Sequence, residues 1–137
     1  MVRSILSSST ENVLEKALGA SALRHKIISN NIANVNTPEF KRSSVLFEER
    51  LAEALNETKA TPARTNPRHL AGHNGGGDFN PVIVTETTTS IRADGNNVDI
   101  DAEMASLAKN NIYYNAVAKE LSRYFSNLKA AINEGRR

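Results

Sequence analysis

Residues 100–133 read IDAEMASLAKNNIYYNAVAKELSRYFSNLKAAIN. Alternate steps of four and three residues from Ile100 meet Met104, Leu107, Asn111, Tyr114, Ala118, Leu121, Phe125, Leu128 and Ile132, and among these only Asn111 is polar. Apolar residues sustained at that spacing specify one long helix carrying a heptad seam. Chemistry marks its ends. Asp99 stands where a capping side chain accepts free amides, Asp101 and Glu103 fall in the first turn, and Lys129, Arg136 and Arg137 lie at or beyond the far end, as the helix dipole favours. The pattern predicts a helix from about 100 to 133.

A second helix is predicted near the start. Ser8 and Glu11 have the spacing of a capping box, in which each side chain satisfies the other's free amide. Leu14, Leu18, Ile28 and Ile32 then recur at helical spacing, with Ser21 and His25 filling the same stripe and Val13, Ala17, Ala20 and Ile27 forming a seam beside it. Pro38 cannot continue the hydrogen-bond ladder and pushes Thr37 out of the α region, so this helix spans about 10 to 33. Residues 45–57 read as a short amphipathic helix, with Phe47, Leu51 and Leu55 four apart among Glu48, Glu49, Arg50 and Glu53. Pro62, Pro67, Gly72 and Gly75 to Gly77 make 59–79 a mobile loop. The β-branched run in Pro81 to Ile91, followed by Asp94-Gly95, predicts a small β element and a turn.

The expected architecture is mainly α and a single domain. Residues 1–44 hold the N-terminal helix and an Asn-rich turn, 45–57 the short helix, 58–99 the loop and β element, and 100–137 the heptad helix. Length decides how the long helices sit. A helix of this size is about 50 Å long, whereas a compact chain of 137 residues is only about 37 Å across. The helices must therefore pair as an elongated coiled-coil hairpin with faces left for neighbours, or lie against helices of other chains. Either arrangement points to assembly.

Composition narrows the function further. There is no cysteine, which excludes disulfides, cysteine-based zinc sites and thiol nucleophiles. Seventeen Lys and Arg against fifteen Asp and Glu leave a net charge of +2, too small an excess for a nucleic-acid footprint. Apolar runs such as Val45 to Phe47 fall far short of the roughly 20 residues of a membrane-spanning helix. Val2, Ile5 and Leu6 are too sparse for a cleavable secretion signal.

No catalytic constellation emerges, so the chain is not expected to be an enzyme. His69 and His73 have a metal spacing only on a helix, which Pro67 and Gly72 disfavour, and no cofactor or metal is expected. From Asp94 a calcium-loop register puts Val98 and Asp99 where a side-chain oxygen and a glycine are needed. The glycine triplet lacks the lysine of a phosphate loop, and no serine lies in a nucleophile elbow. His25 reads as a packed or partly exposed helix residue.

The stretch Ser29-Asn30-Asn31-Ile32-Ala33-Asn34-Val35-Asn36-Thr37-Pro38-Glu39-Phe40-Lys41 resembles the N-terminal motif of flagellar rod and hook proteins. Gly95-Asn96-Asn97-Val98-Asp99-Ile100-Asp101-Ala102-Glu103-Met104 and the heptad after it resemble one of the short proximal rod members, with its companion FlgC as runner-up. The resemblance implies a structural subunit of the proximal rod, which transmits torque from motor to hook and filament. It implies as partners further copies of the chain, rod proteins of the FlgC, FlgF and FlgG type, the rod-to-ring adaptor FliE, the membrane ring and the type III export apparatus, with no nucleic acid and no small-molecule substrate. The implied location is the basal body outside the cytoplasm, in periplasm or cell-wall space, reached without a cleavable signal. Asn30, Asn31, Ile32, Ala33, Asn34, Thr37, Pro38, Phe40 and Lys41 are the expected assembly motif. Ile100, Met104, Leu107, Tyr114, Leu121, Phe125, Leu128 and Ile132 are the expected helix-seam interface. Glu39 stands where the family usually has glycine; glutamate adopts positive φ poorly, so a type I turn is expected at Pro38-Glu39. Outside the family the alternatives are a cytosolic helical-hairpin adaptor and, more weakly, a nucleic-acid-binding module.

Overall fold

The computed structural model describes residues 9–59 and 80–134, with side chains over 10–53 and 80–133. In chain order the elements are α1 (Ser9–Ala33), β1 (Ser43–Leu46), α2 (Glu48–Lys59), β2 (Val82–Thr85) and α3 (Ile100–Glu134). Ser8, His69, His73 and the loop expected before Asn80 lie outside the described residues.

The long helices pack antiparallel. Asn31 of α1 meets Glu103 of α3, Ser21 meets Asn110, and Ala17 and Ala20 share a cluster with Val117. Small side chains on α1 let the backbones approach, and Phe47, 1% exposed, closes the cluster together with Leu14, Leu18, Leu51 and Tyr113. This is a small core for the length of the helices. Transfer and cavity terms together put the cost of Phe47→Ala at about 3–5 kcal/mol.

The structure corrects the expected start of the short helix, because residues 43–46 are a strand and α2 begins at Glu48. Val45 turns inward from that strand while Leu46 is half open to solvent. Of the short strand or hairpin that the β-branched run allows, the structure has the strand. Ser43 pairs with Thr85 and Leu46 with Val82, so β2 returns antiparallel to β1 across the whole intervening segment. Periodicity within each run carries no information about so distant a partner.

The Asn-rich turn differs too. Glu39 has φ of 59°, and the Phe40 amide donates to the Thr37 carbonyl at 3.4 Å, which corrects the type I expectation to a turn with its third residue left-handed. Glu39 is held there by its amide, which donates to the Asp94 carbonyl at 3.0 Å, and by Gly95, whose own φ of 82° lets the two backbones lie against each other. The Asp94-Gly95 turn forms as expected, with the Gly95 amide bonded to the Arg92 carbonyl at 3.1 Å.

Candidate assembly interface

A polar clasp joins the two ends of the chain. Where α1 ends, its last carbonyls lack intrahelical donors. The amides of Asn34 and Val35 take up those of Asn30, Asn31 and Ile32, and Asn96 closes the turn that follows: its Nδ2 is shared among the carbonyls of Asn34, Val35 and Thr37 at 3.0, 3.1 and 2.9 Å, while its Oδ1 accepts from the Val98 amide at 2.7 Å. Asn96 is fully buried. Asn97 acts beside it, accepting from the Arg42 amide at 2.6 Å and donating to the Glu86 carbonyl and Thr89 Oγ1. Asp99 then caps α3 through the amides of Asp101 and Ala102, as its position in the sequence predicts.

The second half of the clasp is charged. Glu103 is 0% exposed and accepts from Arg42 Nε at 2.5 Å and Asn31 Nδ2 at 3.2 Å. Asn31 also donates to the Ser43 carbonyl and accepts from the Ser43 amide, so one side chain continues the pairing of β1 onto α1. Arg42 reaches Glu86 with its Nη1 at 2.9 Å. Its guanidinium is held further in the charged form by Glu103, against the opposing effect of burial. A buried carboxylate is costly unless paired, and here Asn31 of α1 and Arg42, next to β1, pair with Glu103 of α3, while Glu86, next to β2, holds the far side of Arg42.

Much of the expected assembly motif is thus engaged within the chain. Asn31 is buried; Asn34 donates to the Asn30 carbonyl and Oδ1; Lys41 donates to the carbonyls of Thr89 and Gly95. Ile32 and Phe40 are half-buried, while Asn30, Ala33, Thr37 and Pro38 face solvent. The residues that join the ends were not among the expected site residues, namely Asn96, Asn97, Glu103 and Arg42. A signal existed, since Asn31 falls on the inward stripe of α1 where the apolar spacing lapses.

The α3 face divides in two. Its inward stripe is Glu103, Ser106, Asn110, Tyr113 and Val117, displaced by one position from the heptad seam. One residue is about 100° of helix rotation. The long helices therefore pack through a stripe that is largely polar, and Ile100, Met104, Tyr114, Phe125 and Ile132 stay exposed, with Leu107, Leu121 and Leu128 half-buried. His25 is also exposed.

At the rim of the cleft between α1, β1 and α3, Arg24 grips Glu48 with two hydrogen bonds, 2.8 and 2.5 Å. The hydrogen bond to Arg24 holds the Glu48 carboxyl below its usual range, with burial opposing. A carboxylate depressed in the folded state adds stability above its unfolded pKa and loses it as pH falls through the folded value. Glu48 is 55% exposed, so the pair contributes at most about 1 kcal/mol. Arg24→Ala should lower stability at neutral pH by up to about 1 kcal/mol and flatten the acid limb, with variant and wild type converging once Glu48 is protonated in both. Thermal unfolding across pH 3 to 7 checks this, and an unaltered acid limb would show the pair to be inert.

Among the described residues there is no group of three His, Asp or Glu fit for a metal, and no helix is long and apolar enough to cross a membrane. Bulky apolar residues are exposed on α3, Ile112 among them, and along the β1–β2 ribbon at Leu46 and Val82 to Val84. A family model described as flagella basal body rod protein matches residues 12–41, which take in most of α1 and the turn that Asn96 closes. The chain is 36% identical over 133 residues to the flagellar basal body rod protein FlgB of Bacillus subtilis strain 168, covering 97% of this chain and 99% of that protein. It is 35% identical to FlgB of Borreliella burgdorferi, covering 84% and 89%, and 34% identical to FlgB of Borrelia hermsii, covering 88% and 93%. The chain belongs to the FlgB family of flagellar basal body rod proteins, which are structural subunits and not enzymes. The FlgC and cytosolic-adaptor alternatives are not favoured by these matches.

Proposed function

We propose that the chain is a subunit of the proximal rod and that the outer face of α3 builds it into the rod by coiled-coil packing against helices of neighbouring subunits. The observation that carries this is the row Ile100, Met104, Tyr114, Phe125 and Ile132, each between 40% and 63% exposed on one helix of a chain whose family is a structural assembly. In this reading the rod carries torque from motor to hook and filament. Its partners are further copies, rod proteins of the FlgC, FlgF and FlgG type, FliE and the membrane ring. The subunit reaches its extracytoplasmic place unfolded through the type III export apparatus, and the small core suits that passage. The segment Asn30 to Lys41 docks through its solvent-exposed residues Asn36, Thr37 and Pro38.

Detergent-extracted basal bodies test the assignment. The chain should co-purify with them at a fixed ratio to the other rod proteins, and its absence from basal bodies of motile cells would overturn the reading. In the same preparation a chain carrying Asn36→Ala and Thr37→Ala should be exported at normal levels yet depleted from the rod. Normal incorporation would reduce the segment to an intrachain turn.

A further inference from the structure

The β1–β2 ribbon has two outer edges, and among the described residues only one is covered. The Glu86 amide donates to the Arg42 carbonyl at 2.9 Å, which sets the phase of the antiparallel ladder. Ser44 is then bonded to Val84 and Leu46 to Val82, while the amides and carbonyls of Ser43, Val45, Ile83 and Thr85 point outward. Along β1 the side chains of α1 take these up. Asn31 bonds both backbone groups of Ser43, at 2.8 and 3.1 Å, and Arg24 Nη2 donates to the Val45 carbonyl at 3.2 Å. Along β2 no group among the described residues reaches the outward amides and carbonyls of Ile83 and Thr85.

The strand β2 is open on its faces as well. Paired residues share a face, yet Val45 is 5% exposed and its partner Ile83 48%, so β2 overhangs the part of the fold that buries β1. Val82 and Val84 are exposed on the opposite face. Sheet edges left to water are ordinarily blunted by a charge, a proline or a bulge. Val82-Ile83-Val84-Thr85 carries no charge and no proline, and its register is unbroken.

We propose that the outer edge of β2 accepts a third strand in the assembled rod, an extended segment of uncharged, β-branched or other apolar residues from a different protein of that rod. The inference rests on the reading of the chain as a rod subunit and adds a contact that its helices do not make. Main-chain bonds to Ile83 and Thr85 hold the added strand, and its side chains alternate between Ile83 on one face and Val82 and Val84 on the other. A second copy does not supply that strand. Its β1 edge is already taken by Asn31 and Arg24, and β2 against β2 is a self-complementary contact that closes a pair about a two-fold axis. A rod grows by open, head-to-tail addition.

Ile83→Pro in the full chain tests the edge. Proline removes an amide that the β1–β2 ladder does not use and is tolerated on edge strands, so the denaturant midpoint and the exported amount should match the wild type. Incorporation into basal bodies should fall about tenfold or more, since an added strand loses its bond there and meets the proline ring. Ile83→Thr keeps both the amide and the β-branched shape and should incorporate normally. Wild-type incorporation of the proline variant overturns the inference. Equal loss in both variants also overturns it, because the side chain rather than the edge would then be recognised. Loss accompanied by a lowered midpoint does the same, because the amide would then serve the fold. Val84→Cys, in a chain with no other cysteine, reports the donor. A disulfide-linked dimer of the chain in basal bodies would make a second copy the occupant and overturn the assignment to a different protein. Absence of the wild-type chain from basal bodies overturns the rod reading and this inference with it, whereas exclusion of Phe125→Asp but not of Ile83→Pro overturns this inference alone.

Discussion

Phe125→Asp is expected to eliminate incorporation into the rod, and with it motility, while leaving the free chain folded. Phe125 is 47% exposed and touches Tyr124 edge to face, with ring centroids 5.7 Å apart. An aspartate there reaches water in the isolated subunit, where surface substitutions usually stay within about 0.5 kcal/mol. In an assembled interface the same carboxylate loses its water with no partner provided, a cost of several kcal/mol repeated at every subunit. Leu121→Asp should act alike, with some loss of monomer stability because Leu121 is half-buried. Lys119→Ala, on an exposed position of the same helix, should change little. Swimming assays and the composition of isolated basal bodies read the outcome. Normal motility of the Phe125 variant at wild-type protein levels would remove α3 from the interface.

The long helices were legible because each is bounded by local chemistry. Pro38 ends α1 a few residues ahead of itself, Asp99 caps α3, and sustained heptad spacing in α3 leaves no other element possible. Periodicity also told correctly which α3 residues share a face, but it is silent on what covers that face. The inward stripe is set by partners distant in sequence: Glu103 turns in because Arg42 and Asn31 are there to pair with it. The strand at Ser43–Leu46 was hidden for the same reason, since its partner Val82–Thr85 lies beyond a long connection. Glu39 shows tertiary contacts overriding local preference, with Asp94 and Gly95 holding a conformation glutamate alone disfavours. In each case the missing information was a contact between the two ends of the chain.

That joint carries the second large expected effect. Glu103→Ala leaves Arg42 with only Glu86 and leaves the Asn31 amide short of an acceptor, in a pocket where the Glu103 side chain is 1% exposed. Breaking a buried ion pair from one side costs about 3–5 kcal/mol, a large part of the roughly 5–15 kcal/mol that holds a domain. Arg42→Ala should cost a similar amount, because it strands the buried carboxylate. Replacing both with leucine removes the stranded charge, and such exchanges are often near neutral. Against the single variants Glu103→Leu and Arg42→Leu, the double variant should therefore recover much of the lost denaturant midpoint, with a coupling beyond about 1 kcal/mol in the mutant cycle of these leucine substitutions. Additive losses would mean that the two groups act independently and that the clasp is only packing. The recovered variant also separates stability from geometry. Leucines can fill the space, but they lack the directional bonds by which Asn31, Arg42 and Glu103 fix α1 against α3. If that fixed angle is what aligns the outer faces for neighbouring subunits, the stable double variant should still build rods poorly.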